Sequence, residues 1–149
     1  MPLTTDISTY IQENIDIWVS PDEGTNPDGN IFENFLPTGP DRVVAVYGLT
    51  GAKPQRTLGK GFAWEEPKLR IINRAPVGTA GEPSSGNWPM AEADARAIWD
   101  LLRVINSQMV NGNYYMIVDP IGNPQPQELD VDNRPSYIQE FSVMKYVGD

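Results

Sequence analysis

The side chains that perform most acid–base and metal chemistry in proteins are absent from this sequence. The chain has no histidine and no cysteine, so it lacks the commonest general base near neutral pH and the usual ligands of zinc. Ser–His triads, thiol nucleophiles and Cys/His zinc sites are therefore excluded. The 20 aspartates and glutamates remain as candidates for acid–base work.

Two groups of carboxylates have a spacing that could support hydrolysis. Glu65 and Glu66 are adjacent, and Glu128, Asp130 and Asp132 alternate along the chain. Glycoside hydrolysis uses such a carboxylate pair, but it also needs long cleft walls, and 149 residues barely provide them. We interpret these residues as solvated loop acids and keep a small carboxylate-dependent hydrolase as a remote alternative.

Two glycine-containing segments resemble ion-binding loops without meeting their requirements. The segment from Gly51 to Lys60 contains a Gly-Lys pair, but Gly61 follows where a phosphate-binding loop has serine or threonine. Acids alternate with glycine over residues 22–28, yet the spacing of calcium ligands and the final glutamate are missing. The sequence therefore predicts no cofactor and no metal site.

Charge is distributed unevenly along the chain. Residues 1–41 hold eight acids and no base, residues 42–74 hold seven bases and two acids, and the remainder is acidic again. The formal net charge is −9, which opposes binding of the surface as a whole to a nucleic-acid backbone or an anionic membrane.

Three bases of the central part lie in one predicted connection. Lys53, Arg56 and Lys60 occur among glycines and prolines between residues 50 and 61, so we expect an extended, mobile arm. Two interpretations stay open. The arm is either a solvated hairpin tip or a docking arm that meets an acidic surface on a neighbouring copy or another protein.

Arg74 and Trp99 are two further candidates for a subunit or partner contact. Arg74 lies four residues after Arg70 on a predicted strand, so the two arginines share a face. For this pair, contacts with nearby acids are favoured over anion binding. Trp99 lies at the border of a predicted helix's apolar stripe, next to Arg96 and Arg103. It either covers the edge of the core or meets another subunit, since tryptophan and arginine are enriched at interfaces.

The spacing of apolar side chains predicts the elements that position these residues. Steps of three and four residues predict a helix over about 3–18 and a longer one over 89–110, whose buried stripe ends at Met109. The glycine and asparagines that follow are expected to end it. The predicted strands are residues 41–49, 69–75, 114–118 and 136–147, and the predicted loops are at about 20–30, 50–61, 76–88 and 119–135.

The order α-β-β-α-β-β predicts an α+β fold with one mostly antiparallel β-sheet and helices packed on one face. A length of 149 residues suits a single domain over residues 1–149. Neither a secretion signal nor a membrane span is recognisable, so we expect a protein made in a cytoplasm.

Six segments carry a family resemblance. In chain order they are Phe35-Leu36-Pro37, Asp41–Tyr47, Leu69–Ala75, Ala91–Ile98, Asn113–Ile117 and Tyr137–Val143. Together they resemble the tail terminator (tail completion, or minor capsid) proteins of long-tailed bacteriophages, over most of the chain from about Asn30 onward. The acidic stretch 21–30 and the Pro-rich connection 119–135 look longer than the core of that family.

The resemblance implies a structural, non-enzymatic α+β subunit that forms a homohexameric ring, caps the finished tail tube and joins the tail to the head connector. Its partners would be further copies of itself, the tail tube protein and a neck or connector protein, with DNA passing the channel without specific binding and no membrane. The location would be the tail or neck of the virion, after assembly in the host cytoplasm. A head-side neck or connector-adaptor protein is the alternative.

Overall fold

The computed structural model describes residues 3–21, 29–56, 63–78 and 87–146, and for residues 52–56 and 63 it describes the backbone alone. Within these residues, two helices and seven strands make an α+β fold with a mixed sheet. The elements are α1 (Leu3–Asn14), β1 (Ile31–Glu33), β2 (Val43–Arg56), β3 (Ala63–Arg74), α2 (Trp88–Leu102), β4 (Asn106–Val110), β5 (Asn113–Pro120), β6 (Gln125–Pro126) and β7 (Ser136–Tyr146).

The strands are arranged in the order β1-β2-β3-β7-β5-β4, and the short β6 pairs with β7. The β1–β2 pair is parallel, whereas the other pairs are antiparallel. At the centre, Ile72 of β3 lies opposite Ala45 of β2 and Ile138 of β7. In the described part of the chain, β1 and β4 are thus the two edges of the sheet.

The hydrophobic core joins both helices to alternate residues of the strands. Ile7 and Ile11 of α1 and Ile98 and Leu102 of α2 are fully buried in the same cluster. We call the side of the sheet that contributes to this cluster the inner face, and the opposite side the outer face, since strand side chains alternate between faces. The strand residues of the cluster are Ile31, Val44, Val46, Leu69, Ile71, Val110, Tyr115, Val118, Phe141 and Val143.

The second helix ends at Leu102, so the prediction that it extends to residue 110 was wrong. Residues 106–110 form strand β4, and Met109 is 60% exposed rather than buried. The cause is the turn that follows. Asn111 and Gly112 both have positive φ angles, 50° and 82°, and Asn-Gly in that conformation closes a two-residue hairpin. Pairing with β5 therefore overrides the helical spacing.

The remaining differences concern short or extended strands. β1 and β6 were not predicted. β2 extends to Arg56, into the region expected to be the 50–61 loop, and β3 begins at Ala63, six residues before the predicted strand. Helix α1 ends at Asn14 rather than near Trp18, although Trp18 is still buried. The observed order is α-β-β-β-α-β-β-β-β. No helix among the described residues is long and apolar enough to cross a bilayer.

Candidate interaction surfaces

The three bases of the predicted arm are only partly within the described residues. Lys53 and Arg56 lie on the last part of β2, where Arg56 is opposite Ala63 of β3, so this part of the predicted connection is strand. Lys60 lies outside the described residues. A docking role for these bases remains a prediction, but their backbone positions place them at one end of the sheet.

Arg74 makes contacts within its own chain. It is 4% exposed, and its guanidinium donates to the backbone carbonyls of Pro40 at 2.8 Å and Asp41 at 3.2 Å. Burial, together with the nearby charge of Arg134, lowers the pKa of Arg74. Arg70, by contrast, pairs with a carboxylate as expected, at 2.8 Å from Glu140. Arg74 therefore ties the end of β3 to the loop before β2, and a further contact to a partner remains a prediction.

Arg134 forms ion pairs with three acids, of which Asp130 and Asp132 were predicted to be solvated. Its 6% exposed side chain forms ion pairs with Asp130 at 2.8 Å, Asp41 at 3.1 Å and Asp132 at 3.3 Å, and donates to the Thr38 carbonyl. Burial alone would raise the pKa of Asp130, but hydrogen bonds from the Arg134 backbone and side chain and the Asp132 backbone lower it. Arg134 therefore holds the 119–135 connection against the loop before β2, while Asp130 and Asp132 neutralise its charge from within that connection.

A second buried polar network holds α1 on the inner face. The Asp6 carboxylate, fully buried, accepts hydrogen bonds from the Tyr115 hydroxyl at 2.5 Å and from Asn113 at 3.1 Å, and lies 3.3 Å from Lys145 Nζ. Asn111 donates to the same carboxylate at 3.2 Å. Burial and the hydrogen bond to Asp6 raise the pKa of Tyr115 well above its ordinary value of 10.0.

The contacts of Asp6 were not predicted from the sequence. Their partners come from β7 and the β4–β5 hairpin, far from α1 in the chain, so the local spacing of residues carries no signal for them. A carboxylate, a lysine and a tyrosine in contact could in principle transfer protons. Here the carboxylate is completely buried and the lysine is 7% exposed, so a substrate cannot reach them. The arrangement satisfies buried polar groups, which is what a structural network requires.

Trp99 covers the edge of the core and also reaches the 119–135 connection. It is partly buried against the core cluster, and the guanidinium of Arg103 lies 4.9 Å from the centre of its ring. Its indole Nε1 donates to the carbonyl of Gly122 at 3.0 Å, a contact that was not predicted. The edge-of-core contacts are thus present within one chain, and a subunit contact remains a prediction.

The outer face carries an apolar and aromatic surface at the end of the sheet formed by β3, β7, β5 and β4. The Trp64 ring packs edge-on against Tyr114 and Tyr146, with centroid distances of 6.3 and 5.3 Å. Beside them Met109 is 60% exposed and Ile117 is 38% exposed. Met109 was predicted to lie in the core, so this surface was not predicted. The Asn-Gly hairpin was the available signal for it.

An open groove of about 370 Å³ lies between the loop after β5 and strand β7. Its polar members include Glu140, which is engaged by Arg70, and Gln139, which donates to the Ala95 carbonyl at 3.1 Å. These two side chains are therefore engaged in contacts that hold the fold together. The described residues contain no group of three or more His, Cys, Asp or Glu placed to hold a metal ion.

The fold, rather than the sequence, relates this chain to known proteins. No family model matches it, and no curated protein matches it in sequence. Among solved structures, it is similar to a chain described as "Virion of native gene transfer agent (GTA) particle", with a TM-score of 0.60 and 11% identity. The match covers 97% of this chain and 95% of that one. At this identity the likeness shows a shared fold.

Proposed function

We propose that the protein is a structural component of a phage-like virion, and specifically a tail terminator. In this role copies of the chain form a homohexameric ring that caps the tail tube and joins the tail to the head connector. The observation that carries the virion role is the end-to-end likeness of the fold to a chain of a gene transfer agent virion. The finer assignment to the tail terminator rests on the sequence resemblance described above.

The titratable groups that could perform catalysis are buried or paired with other side chains, which supports a structural role. The Asp6 network is buried, and Asp130 and Asp132 neutralise Arg134. The sequence contributes no histidine or cysteine. What the described surface does offer is the apolar and aromatic area around Trp64, Tyr114 and Met109, which suits contacts with other proteins more than binding of a small substrate.

The charge of the chain also fits a ring through which DNA passes. A lumen that carries DNA must not hold the phosphate backbone, and a chain with a formal net charge of −9 repels it. The location proposed for the protein is the tail or neck of the particle, after assembly in the host cytoplasm. A head-side neck adaptor is the competing role, since it too would form an acidic ring.

Two measurements test this proposal. Native mass spectrometry of the purified protein, with and without isolated tail tubes, is expected to show six copies. Co-sedimentation with tail tubes and with isolated head connectors then separates the two roles, because a terminator binds tubes and a neck adaptor binds connectors alone. A protein that stays monomeric under all these conditions contradicts both roles.

A further inference from the structure

One oxygen atom of Asp6 lies in contact with two nitrogen atoms of different chemistry. The Oδ2 atom of Asp6 lies 3.3 Å from Nζ of Lys145 and 3.1 Å from Nδ2 of Asn113. The first nitrogen belongs to a primary amine and the second to a primary amide. These are the two reactants of a transamidation, in which an amine displaces ammonia from an amide.

The sheet makes the amine and the amide neighbours. Lys145 of β7 lies opposite Tyr115 of β5. Asn113 precedes Tyr115 by two residues in the same strand, so both point to the inner face. Diagonal positions on adjacent strands are within reach of long side chains. The lysine does reach across to β5, because its Nζ atom lies 5.7 Å from the centre of the Tyr115 ring.

The surroundings of the two nitrogens exclude most water. Asp6 and Tyr115 are 0% exposed, and Lys145 is 7% exposed. Exclusion of water suppresses competing hydrolysis, and a lysine removed from water is the form in which lysine acts as a nucleophile. A substrate from outside cannot enter, but a reaction between two side chains of one chain needs none.

Asn113, rather than Asn111, is placed as the acceptor of the amine. Asn111 donates to Oδ1 of Asp6 at 3.2 Å, whereas Lys145 lies on Oδ2. Asn113 contacts both oxygens, each at 3.1 Å. The carboxylate also accepts a hydrogen bond from the Tyr115 hydroxyl at 2.5 Å. Asp6 acts only as an acceptor in these contacts, as an ionised carboxylate does, and this suits a base.

We propose that Lys145 and Asn113 react to form an isopeptide bond, with Asp6 as the proton carrier. A bond forms between Nζ of Lys145 and Cγ of Asn113, and the bond between Cγ and Nδ2 breaks. The lysine ammonium gives up two protons, and Asp6 passes both to Nδ2, which leaves as ammonium. Asp6 is ionised before and after the reaction, so atoms and charge balance without a further reactant.

The cross-link is a modification that the chain makes on itself once, and it requires no partner. It joins β5 to β7 within one chain, and so fixes the β4–β5 hairpin to the sheet by a bond that unfolding does not break. It depends neither on a ring nor on tail tubes. A failure of the cross-link therefore leaves the proposed function untouched, and the reverse is also true.

Intact mass spectrometry of the denatured parent protein tests the proposal. The parent should be lighter than its sequence, with or without Met1, by the mass of one ammonia. Lys145→Arg keeps a positive charge but has no amine, so it should have its full sequence mass. Lys68→Arg, which changes an exposed lysine of β3, is the matched control and should lose ammonia as the parent does. A parent protein that keeps its full mass after prolonged incubation in the folded state overturns the proposal, whether or not a variant folds.

Chemical cleavage at methionine locates the bond. Cleavage after Met109, Met116 and Met144 places Asn113 in the fragment 110–116 and Lys145 in the fragment 145–149. The parent protein should release these two fragments as one covalent species, whereas the arginine variant should release them separately.

Two other products have distinguishable fragments. Loss of ammonia with fragments 110–116 and 145–149 separate would show cyclisation at Asn111-Gly112 and overturn the proposal. Fragment 145–149 joined to residues 2–90, which contain Asp6 and Glu65, would show that a carboxylate had acylated the lysine. That product is formed with loss of water, and it overturns the proposal as well.

Two pairs of substitutions test the assigned roles. Asn113→Ala should abolish the loss of ammonia, and Asn111→Gly should retain it, since glycine adopts the positive φ at that position. Asp6→Asn should abolish the loss, and Asp16→Asn, an exposed acid, should not. Near-UV circular dichroism shows whether each variant is folded. A cross-link that persists in Asn113→Ala or in Asp6→Asn overturns the proposal.

Discussion

The Tyr115 hydroxyl lies 2.5 Å from the Asp6 carboxylate, although 109 residues separate the two in sequence. This hydrogen bond connects the first helix to the β4–β5 hairpin in the interior of the protein. Lys145 of β7 meets the same carboxylate. Three distant parts of the chain are thus held by one buried polar group, which predicts a specific pH dependence.

Tyr115→Phe should make the protein less sensitive to alkaline pH. Burial and Asp6 raise the pKa of Tyr115 above its ordinary value of 10.0, so its contribution is complete below that pH. It is lost as the pH rises further, because the unfolded chain releases the proton first. At neutral pH the variant should lose about 1–3 kcal/mol, the cost of a missing partner for a buried group.

The measurement is the free energy of unfolding between neutral and strongly alkaline pH, with tyrosinate absorbance recorded in parallel. Tyr114→Phe is the matched control on the outer face. Tyr47 and Tyr137, whose pKa values burial also raises, should keep part of the alkaline dependence in both variants. An alkaline slope of Tyr115→Phe equal to that of the parent would show that the hydrogen bond to Asp6 does not carry the effect.

Asp130→Asn should reduce the stability that is lost in acid. The hydrogen bonds from Arg134 and Asp132 lower the pKa of Asp130 below its ordinary 3.8, so its contribution is present above that pH and disappears as the pH falls through the lowered value. Because Asp130 is only half-buried and Arg134 keeps its other partners, we expect a loss of about 0.5–1.5 kcal/mol at neutral pH. We also expect stability to fall less steeply as the pH is lowered. Unfolding midpoints measured against pH give the stability at neutral pH and its decrease in acid. Glu128→Gln is the control. A decrease in acid equal to that of the parent protein would contradict the role of Asp130.

Leu102→Ala should destabilise the fold strongly. Leu102 is fully buried in the core cluster at the end of α2, and truncation of such a side chain costs about 2–5 kcal/mol. That is a large share of the about 7–22 kcal/mol expected for 149 residues. Chemical denaturation gives the value, and the exposed Val104→Ala serves as the control. A loss below about 1 kcal/mol would contradict the packing described for α2.

Trp99→Ala distinguishes a core-edge role from a subunit contact. Because Trp99 packs on the core cluster and donates to Gly122, we expect a loss of about 2–3 kcal/mol, less than for a fully buried tryptophan, with rings still forming. Trp99→Phe should recover most of the packing but not the hydrogen bond. Loss of rings with an intact unfolding midpoint would instead assign Trp99 to the interface.

Reversal of the basic segment, Lys53→Glu/Arg56→Glu/Lys60→Glu, should weaken assembly with little effect on folding. Exposed substitutions usually change stability by less than about 0.5 kcal/mol each, whereas reversed charges remove the attraction to an acidic surface. The measurement is the assembled fraction against salt concentration. If neither the assembled fraction nor its salt dependence changes, the segment is a solvated hairpin end.

The periodic parts of the fold were predictable from the sequence, and the contacts between distant segments were not. Helix α2 follows from the 3.6-residue spacing of Ala91, Ala95, Ile98 and Leu102, all buried. The same spacing continues to Met109, so the sequence pattern alone did not reveal that helix α2 ends at Leu102 and that strand β4 follows it. Two-residue strands such as β6 carry no periodic signal.

The candidate surfaces also divide into features that the sequence reveals and features that depend on contacts between distant segments. The basic segment was visible because charge is a property of composition, and Arg70 could be assigned to pairing because its strand was recognised. The outer-face surface around Trp64 and Met109 depends on the β3–β7–β5–β4 order, which brings together residues far apart in the chain. Its recognition required the register of the sheet.

Electron microscopy of isolated tail tubes mixed with the purified protein shows whether the chain caps the tube. A tail terminator is expected to form a ring of six copies at one end of each tube, absent when the protein is omitted. Tubes that remain uncapped at a protein concentration at which rings are present would contradict the assignment as a tail terminator.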